Sequence, residues 1–497
     1  MKTKKKYGLF SVLLVILLIV VVATYFIDGR DGSVSYLAIG DVFLNYVQSI
    51  YYFFDTIIFI LVVGGLYGAL NKSSSYKKLV TDIAGKMKGR EKLFVVVSTI
   101  VFALFASLTG LNVLLLIFIP FVVSIILLLG FDKLVALSST VVAVLVGFIG
   151  GIFITFRDAS NQYAASYTTF DKLVGLDSDY GNIFPKILLL VIAVGLLIFY
   201  TLKHIKKIED GEIKNELSNN DVFFIEPRDK SGKKVKVDYS KKKSWPIMVM
   251  GVILLVLLVL GFMPWNSLFG IEVFNDFHTW LTELTIPKFN LFGHKFSEYP
   301  VFTSLISANF SAFGEWGSLG TYMMAIVLIA LFIFILKFVS RVKFSELMDG
   351  FIYGVKKMVP AAMIVMLAYT VLVCVYNNGM VETIITSAAD SFGDNVIIGA
   401  LIAIIGGILH VDVYYTVAGV FTPIVTSLTD KANLSVYAVM FQSLYGLVQI
   451  VGPTSLLLIV GLSYLEVPYS KWLKYIWRFI LMLLIVILIV LMIVSLL

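Results

Sequence analysis

The sequence predicts an all-α polytopic membrane protein built from two inverted-topology repeats. Three observations carry that prediction. Of 497 residues, 59% are hydrophobic and only 14% charged, with a mean hydropathy of +0.95. Soluble domains run at roughly 45–50% apolar and about 25% charged, so a soluble enzyme is excluded. Second, apolar runs recur from Leu9 to Leu496. A helical span needs about 20 apolar residues, so this is a bundle and not a single anchor. The alternating ten-residue segments of an outer-membrane barrel are absent. Third, two similar stretches enter the membrane from opposite sides.

The candidate spans are 8–27, 51–70, 93–108, 111–130, 133–156, 184–203, 245–264, 318–338, 353–375, 395–409, 413–429, 434–462 and 474–497. The first follows a lysine-rich start and resembles a secretory leader. Its apolar run is too long for one, and no small-residue cleavage site follows, so it is expected to be retained. Loop charge assigns the sides. Residues 2–6 carry four lysines, 71–92 seven Lys or Arg, 204–244 eleven, and 341–357 four. The intervening loops 28–50, 157–183, 265–317 and 376–394 are acidic on balance. Basic loops stay inside, which places the N-terminus in the cytoplasm of a bacterial cell (inner or plasma) membrane. The net charge of +7 is absorbed by these loops and is no sign of nucleic-acid binding.

The alternation forces an odd number of crossings between Lys92 and Arg157, and again, in the opposite sense, between Asp394 and Lys471. Within these stretches Pro120 to Gly150 and Pro423 to Gly452 follow one pattern, with spacings of 30 and 29 residues. Each places a proline in an apolar run, then a polar turn, then a second run with an early alanine (Ala136, Ala438) and a glycine-rich end. Such inverted units mark many secondary transporters. The expected organisation is 1–50, a first span and outer loop; 51–203, the first repeat; 204–244, a basic cytoplasmic linker; 245–317, a span plus an outer segment; 318–473, the second repeat; and 474–497, a last span. In the outer segment Pro287 and Pro300 interrupt aromatic-rich sequence, and Trp280 and Trp316 suit the headgroup region of interfacial helices. A partner-binding lid is the alternative there.

Chemistry is expected where polar or helix-breaking residues interrupt membrane-length sequence, because lipid satisfies no polar group. The first such cluster is Ser107-Leu108-Thr109-Gly110-Leu111-Asn112. It is either a tight surface turn or the tip of a re-entrant hairpin whose backbone N–H groups meet a solute. The second runs from Gly147, Gly150 and Gly151 to Arg157, Asp158 and Gln162. Either Arg157 and Asp158 cap a span at the interface, or the helix unwinds, its carbonyls coordinate a cation, and Arg157 takes a carboxylate bidentately. The third is His410, Asp412, Tyr414 and Tyr415, matched by Gln442, Gln449, Gly452, Pro453, Thr454 and Ser455. A charge at that depth costs at least ~2.5 kcal/mol unless paired or wet. Asp412 is therefore either half of a satisfied pair with His410 or a functional carboxylate. Asp55 and Glu315 stand near span ends and are set aside as interfacial charges.

No phosphate-binding GxxxxGK[ST] signature occurs. Cys374 is the single cysteine, and four histidines lack metal spacing. No cofactor, metal or enzymatic activity is expected.

Three stretches carry a family resemblance: 64–112, 130–151 and 441–477. The most specific pieces are Lys88-Gly89-Arg90-Glu91-Lys92, Pro453-Thr454-Ser455 and Val467-Pro468-Tyr469-Ser470-Lys471-Trp472-Leu473. They resemble the YfcC-type branch of the four-carbon-dicarboxylate anaerobic carrier family, in the ion transporter superfamily. The resemblance implies re-entrant hairpins and broken helices meeting near the midplane, and a dimer. Its members are secondary carriers for dicarboxylates, basic amino acids or peptides. This chain departs from the pattern at three places. Leu108 to Asn112 replaces a glutamate pair, Val411 to Thr416 replaces a Ser/Gly tip, and Thr155 to Asp158 replaces an Asn-Pro break.

The expected activity is secondary transport, by antiport or ion-coupled symport, of a small carboxylate-bearing solute, most naturally an amino acid such as a basic one. Thr109, Asn112, Arg157, Asp158, Asp412, Gln449, Thr454 and Ser455 would bind the solute. Asp412, His410, Gly150 and Gly452 would couple a proton or sodium ion. A dicarboxylate carrier is the second reading, and a degenerate carrier serving as a membrane scaffold or sensor the third.

Overall fold

The computed structural model describes residues 8–27, 34–157, 165–173, 183–213, 239, 242–305, 310–320, 322–380, 383–384, 387, 396–409, 413–417, 421, 424–425 and 434–494. The chain begins with α1 (Gly8–Ala23), α2 (Ile39–Tyr52), α3 (Phe54–Leu70) and α4 (Ser74–Lys86). Next come α5 (Glu91–Thr109), a 3₁₀ turn (Val113–Ile117), α6 (Ile119–Leu128) and α7 (Lys133–Ile149), which carries a π turn over Ser138–Val142. An antiparallel hairpin, β1 (Ile154–Arg157) with β2 (Ala165–Thr168), precedes α8 (Phe170–Leu173) and α9 (Ile183–Glu209).

The second half opens with α10 (Trp245–Phe262). The outer segment holds α11 (Trp265–Phe269), α12 (Val273–Glu283) and α13 (Val301–Leu305). Between α12 and α13, β3 (Thr285–Ile286) pairs with β6 (Tyr299–Pro300), and β4 (Phe289–Leu291) with β5 (His294–Phe296). There follow α14 (Met323–Ser340), α15 (Phe344–Asn377), α16 (Val396–Leu409), α17 (Val413–Thr416), α18 (Leu434–Gln449), α19 (Leu456–Tyr464) and α20 (Tyr469–Val494). Among the described residues six helices (α5, α9, α10, α14, α15 and α20) are long and apolar enough to cross a membrane. The pair α2–α3, bent by 62° at Phe53, makes a seventh if taken as one span. The fold is polytopic and all-α.

The charge partition of the loops is a spatial one. On the basic side, Lys92 pairs with Glu209 at 2.7 Å, Ser73 and Ser340 share a 2.6 Å hydrogen bond, and Ser244 donates to Asp82 at 3.3 Å. On the opposite side, the Ser35 N–H donates to the Asn378 carbonyl at 3.2 Å, and the Phe153 and Phe269 rings meet at 6.0 Å. The turn between α6 and α7 lies on the basic side, where Asp132 is 3.0 Å from His204. Both ends of α5–α6 therefore sit on one face, and the chain reverses between them at 110–112. The second unit starts after the acidic loop at α16 and finishes on the basic side at Lys474, beside Lys203 and Lys207. Its sense is inverted.

Glycine sets the central crossing. A Cβ on Gly354 would lie 2.0 Å from the Gly64 carbonyl oxygen, and one on Gly68 would lie 2.0 Å from that of Gly350. The two GxxxG ridges let the α3 and α15 backbones touch, the close approach that lipid-embedded helices use in place of a hydrophobic drive. α2 lies along the same helix, with Ser49 and Thr370 hydroxyls 3.1 Å apart and Phe53 stacked on Tyr369.

Several expected spans are redrawn. The run 133–156 stops as helix at Ile149, because Gly150-Gly151 ends it and the β-branched Ile154 and Thr155 enter a strand. Residues 353–375 lie within the 34-residue α15, whose fourth turn carries the exposed Lys356 and Lys357. Phe344 to Tyr353 thus extends the helix beyond its apolar run. The outer segment is only partly helical, since Phe292 and Gly293, both in the left-handed region, close the two-residue turn of a β-ribbon. Trp280 is exposed as expected. Trp316 is instead buried in a slot opened by Gly261, where a Cβ would meet its ring at 2.0 Å.

Candidate functional site

Three backbone breaks lie inside the bundle. Each follows from local sequence, and each is stitched to another element by side-chain donors. α5 ends at Gly110, which adopts the left-handed conformation (φ 65°) that favours glycine. The Thr109 hydroxyl folds back onto the Phe105 carbonyl at 2.6 Å and accepts from the Leu111 N–H at 3.3 Å. Asn112 leads into the 3₁₀ turn, whose Ile117 carbonyl accepts from the Tyr67 hydroxyl at 2.5 Å.

The second break closes α7. Its last turn is wedged between α5, α9 and α18 by missing side chains. A Cβ on Gly147 would be 2.3 Å from the Ala103 carbonyl oxygen, on Gly150 2.3 Å from that of Lys186, and on Gly446 2.6 Å from Ile149 Cγ1. Ser107 donates to the Gly150 carbonyl at 2.9 Å, while its own carbonyl accepts from the Ile152 N–H at 3.0 Å. Gln442 of α18 reaches across, and its Nε2 donates to the carbonyls of Phe148 (3.1 Å) and Gly151 (2.6 Å).

The third break lies between α18 and α19, where Gly452-Pro453 interrupts the helix. Four donors satisfy the carbonyls around it. Trp472 Nε1 donates to Ile450 at 2.9 Å and the Tyr469 hydroxyl to Val451 at 2.5 Å. Thr454 donates to the Ile408 carbonyl of α16 at 2.5 Å, and Gln449 Nε2 to that of Gly407 at 3.5 Å. The motif around Tyr469 and Trp472 thus has a physical role in covering the carbonyls that the break frees.

Both units share a plan, since the end of a hairpin helix is hydrogen-bonded to the break of its own repeat. In the first, Ser107 holds Gly150; in the second, Thr454 holds Ile408. α18 ties the units together. Gln442 and Gln449 lie two turns apart on one face, about 10 Å, and each grips the end of a helix from a different repeat. What is left open is as informative. Asn112 Oδ1, Gln442 Oε1 and Ser455 Oγ are buried with no hydrogen-bond partner among the described residues, one at each break. Buried polar atoms are rarely unpaired in native folds, and such atoms at helix breaks suit a ligand.

The predicted residues fall into three groups. Asn112, Gly150, Gln449, Gly452, Thr454 and Ser455 stand at the breaks, with Thr109 at the first tip. The Gly150 carbonyl is engaged by Ser107, and that of Gly452 accepts from the Ser455 N–H at 3.1 Å. Arg157 lies in β1, opposite Ala165 and past the break, so the helix does not unwind through it as expected. Asp158, His410 and Asp412 lie outside the described residues.

Sequence reasoning missed a buried ion pair. Lys186 of α9 and Asp171 of α8 are joined directly, with side chains only 4% and 2% exposed, and the Lys186 backbone lies against Gly150. Asp171 counts as a loop charge and Lys186 falls within the expected span 184–203, so neither signalled burial. Also missed were the π turn of α7, with Ser138, Ser139 and Thr140 buried, and Asp55, which is 2% exposed although it had been set aside as interfacial.

A family profile described as C4-dicarboxylate anaerobic carrier matches residues 27–496. No curated protein matches the chain. Among solved structures, a transporter from Alcanivorax borkumensis, YdaH, described as having an unusual topology, aligns over 97% of this chain and 97% of its own. Its sequence identity is 11% and its TM-score 0.39.

Proposed function

Since the chain belongs to the C4-dicarboxylate anaerobic carrier family, we propose that it is a secondary carrier that moves a small amino acid across the bacterial cell membrane. The observation that supports the amino acid is the orientation of Gln442. Its Nε2 is committed to two carbonyls, so the atom left without a partner is the acceptor Oε1. An acceptor of this kind matches a donor on the solute, such as an ammonium group. Ser455 opens the nine-residue α19, where a free hydroxyl and the helix N-terminus favour a carboxylate. An acceptor at one break and an anion-favouring end at another suit an amino acid whose side-chain cation lies well away from its carboxylate, as in a basic one. Asn112 adds a further amide at the first tip.

In this reading Asp412 takes the second cationic group of a basic amino acid or couples an ion with His410, and Arg157 guides the carboxylate. The basic side faces the cytoplasm. A dicarboxylate is the second reading. It is favoured by the family, and by a buried lysine, Lys186, paired with Asp171 and packed through its backbone against the second break.

Exchange in proteoliposomes tests both, with labelled arginine and labelled succinate run side by side. The expected result is arginine uptake stimulated by internal ornithine and abolished by Asp412→Asn. Succinate uptake without arginine uptake overturns the amino-acid reading in favour of the second. Unchanged arginine uptake in Asp412→Asn removes that residue from the site.

A further inference from the structure

A groove of about 420 Å³ lies between α9 and α20 on the basic side of the bundle. Lys203, His204, Lys207, Lys474, Arg478 and Trp477 line it, and its lining contains no carboxylate. His204 is engaged by Asp132 at 3.0 Å, and Lys207 stands 3.9 Å from Glu212. Lys203, Lys474 and Arg478 have no carboxylate partner among the described residues. Lys203 and Arg478 rest instead over aromatic rings, at 5.8 Å from Phe199 and 5.3 Å from Trp477. Three cations converge there with their N–H donors unmatched by any anion among the described residues.

Above the basic mouth the two helices present apolar tracks. On α20, Trp477, Leu481, Ile485, Leu488 and Met492 are all exposed at spacings of three or four residues. On α9, Ile187, Val191 and Phe199 do the same, with Gly195 between them open to its surroundings. The shape is a cationic pocket at the membrane surface continuing into a hydrophobic furrow. A free anion would need only the pocket. A phospholipid needs both.

We propose that this groove binds an anionic phospholipid, its phosphate held by Lys203, Lys474 and Arg478 and its acyl chains laid along α9 and α20. The site bears on the carrier machinery. Tyr475 lines the groove and accepts from Ser138, in the π turn of α7, at 3.2 Å. The Tyr200 hydroxyl donates to the Tyr475 carbonyl, joining the two helices at the same level. Asp132, held by His204, caps the start of α7 by accepting from the Val135 N–H at 2.8 Å. A lipid seated here touches side chains that hold the basic half of the first broken helix.

Native mass spectrometry of the full-length protein tests the assignment, with added phosphatidylglycerol, phosphatidylcholine or inorganic phosphate. The expected result is selective retention of phosphatidylglycerol, undisturbed by millimolar phosphate. In Lys203→Gln/Lys474→Gln/Arg478→Gln, retention should weaken on the order of 100-fold, about a factor of five per basic side chain. Lys77→Gln/Lys78→Gln/Lys86→Gln, which removes equal charge from α4 on the same face, should leave it unchanged. The charge-preserving Lys203→Arg/Lys474→Arg should retain the lipid, separating lost recognition from lost folding. Equal retention of phosphatidylcholine, full retention in the triple glutamine variant, or loss in the arginine variant would each overturn the proposal. Displacement of the lipid by inorganic phosphate would reassign the groove to a small free anion.

Discussion

Gln442→Met tests the cross-repeat stitch most directly. The side chain keeps its volume but loses the amide whose Nε2 donates to Phe148 at 3.1 Å and Gly151 at 2.6 Å. Interhelical hydrogen bonds in membrane proteins average about 0.6 kcal/mol, so two set a floor near ~1 kcal/mol. Leaving a buried carbonyl unpaired costs about 1–3 kcal/mol; Phe148 keeps the Gly151 N–H at 3.0 Å, so only the Gly151 carbonyl is stranded and the ceiling lies near ~4 kcal/mol. The carbonyls lie in and just past the last turn of α7, and Gln442 is itself 1% exposed. The expected loss therefore sits between those bounds, at about 2–3 kcal/mol. Unfolding of the purified protein in nanodiscs, followed by tryptophan fluorescence, reads it. Ser443→Ala is the control, because that neighbouring hydroxyl bonds only within its own helix, to Met440 at 3.1 Å. If Gln442→Met unfolds at the same midpoint as Ser443→Ala, the side chain does not hold the repeats together. The polar logic of the second break would fall with it.

The remaining expectations use the same measurement, with uptake alongside. Ser455→Ala removes a hydroxyl without a partner, so stability should hold within about 0.5 kcal/mol while the KM for the solute rises; a drop in stability with normal uptake would make the hydroxyl structural. Gly354→Ala places a methyl 2.0 Å from the Gly64 oxygen and must move the α3–α15 crossing by more than 1 Å to reach ordinary contact near ~3.3 Å. It should destabilise by about 1–3 kcal/mol, whereas Gly195→Ala, with nothing within 4 Å, should be neutral or stabilising, and equal midpoints for the two would refute the close approach. Lys186→Met strands Asp171 in a buried site and should cost about 3–5 kcal/mol, most of it recovered in Lys186→Met/Asp171→Leu; a double variant as weak as the single would show that the pair is more than a matched burial.

Much of this architecture was legible in the sequence because a bilayer imposes few rules. Loop charge sorted the faces, and the ends of α5–α6 on one side follow from counting lysines around Lys92 and noticing Gly110. Gly452-Pro453 announced its break, since proline removes a donor wherever it falls. The β-hairpin after α7 was hidden because Ile154 to Phe156 is as apolar as the helix before it, and hydropathy does not separate the two states. Lys186 and Asp171 were hidden for another reason. Fifteen residues part them, and only the fold shows that a loop acid meets a helix base out of water. The donors Gln442, Tyr469 and Trp472 were visible as residues, but their acceptors are backbone carbonyls, which carry no sequence signal.

That last point separates structural polar atoms from functional ones here. In hydrocarbon, a helix break is stable only if its freed carbonyls find donors. The chain supplies them from elements other than the broken one: Tyr67 for Ile117, Ser107 for Gly150, Gln442 for Phe148 and Gly151, and Tyr469 and Trp472 for Val451 and Ile450. Because each donor comes from a distant part of the sequence, each break is held by tertiary contacts and not by local turn chemistry. Hairpin end and break within a repeat are therefore bonded as one body, and α18 bonds the two bodies to each other. At these breaks, Asn112 Oδ1, Gln442 Oε1 and Ser455 Oγ remain without a partner among the described residues once that requirement is met. A side chain that only stabilised a break would end hydrogen-bonded, as Thr454 does. Its neighbour Ser455, equally buried and without a partner among the described residues, is the better candidate to meet the solute.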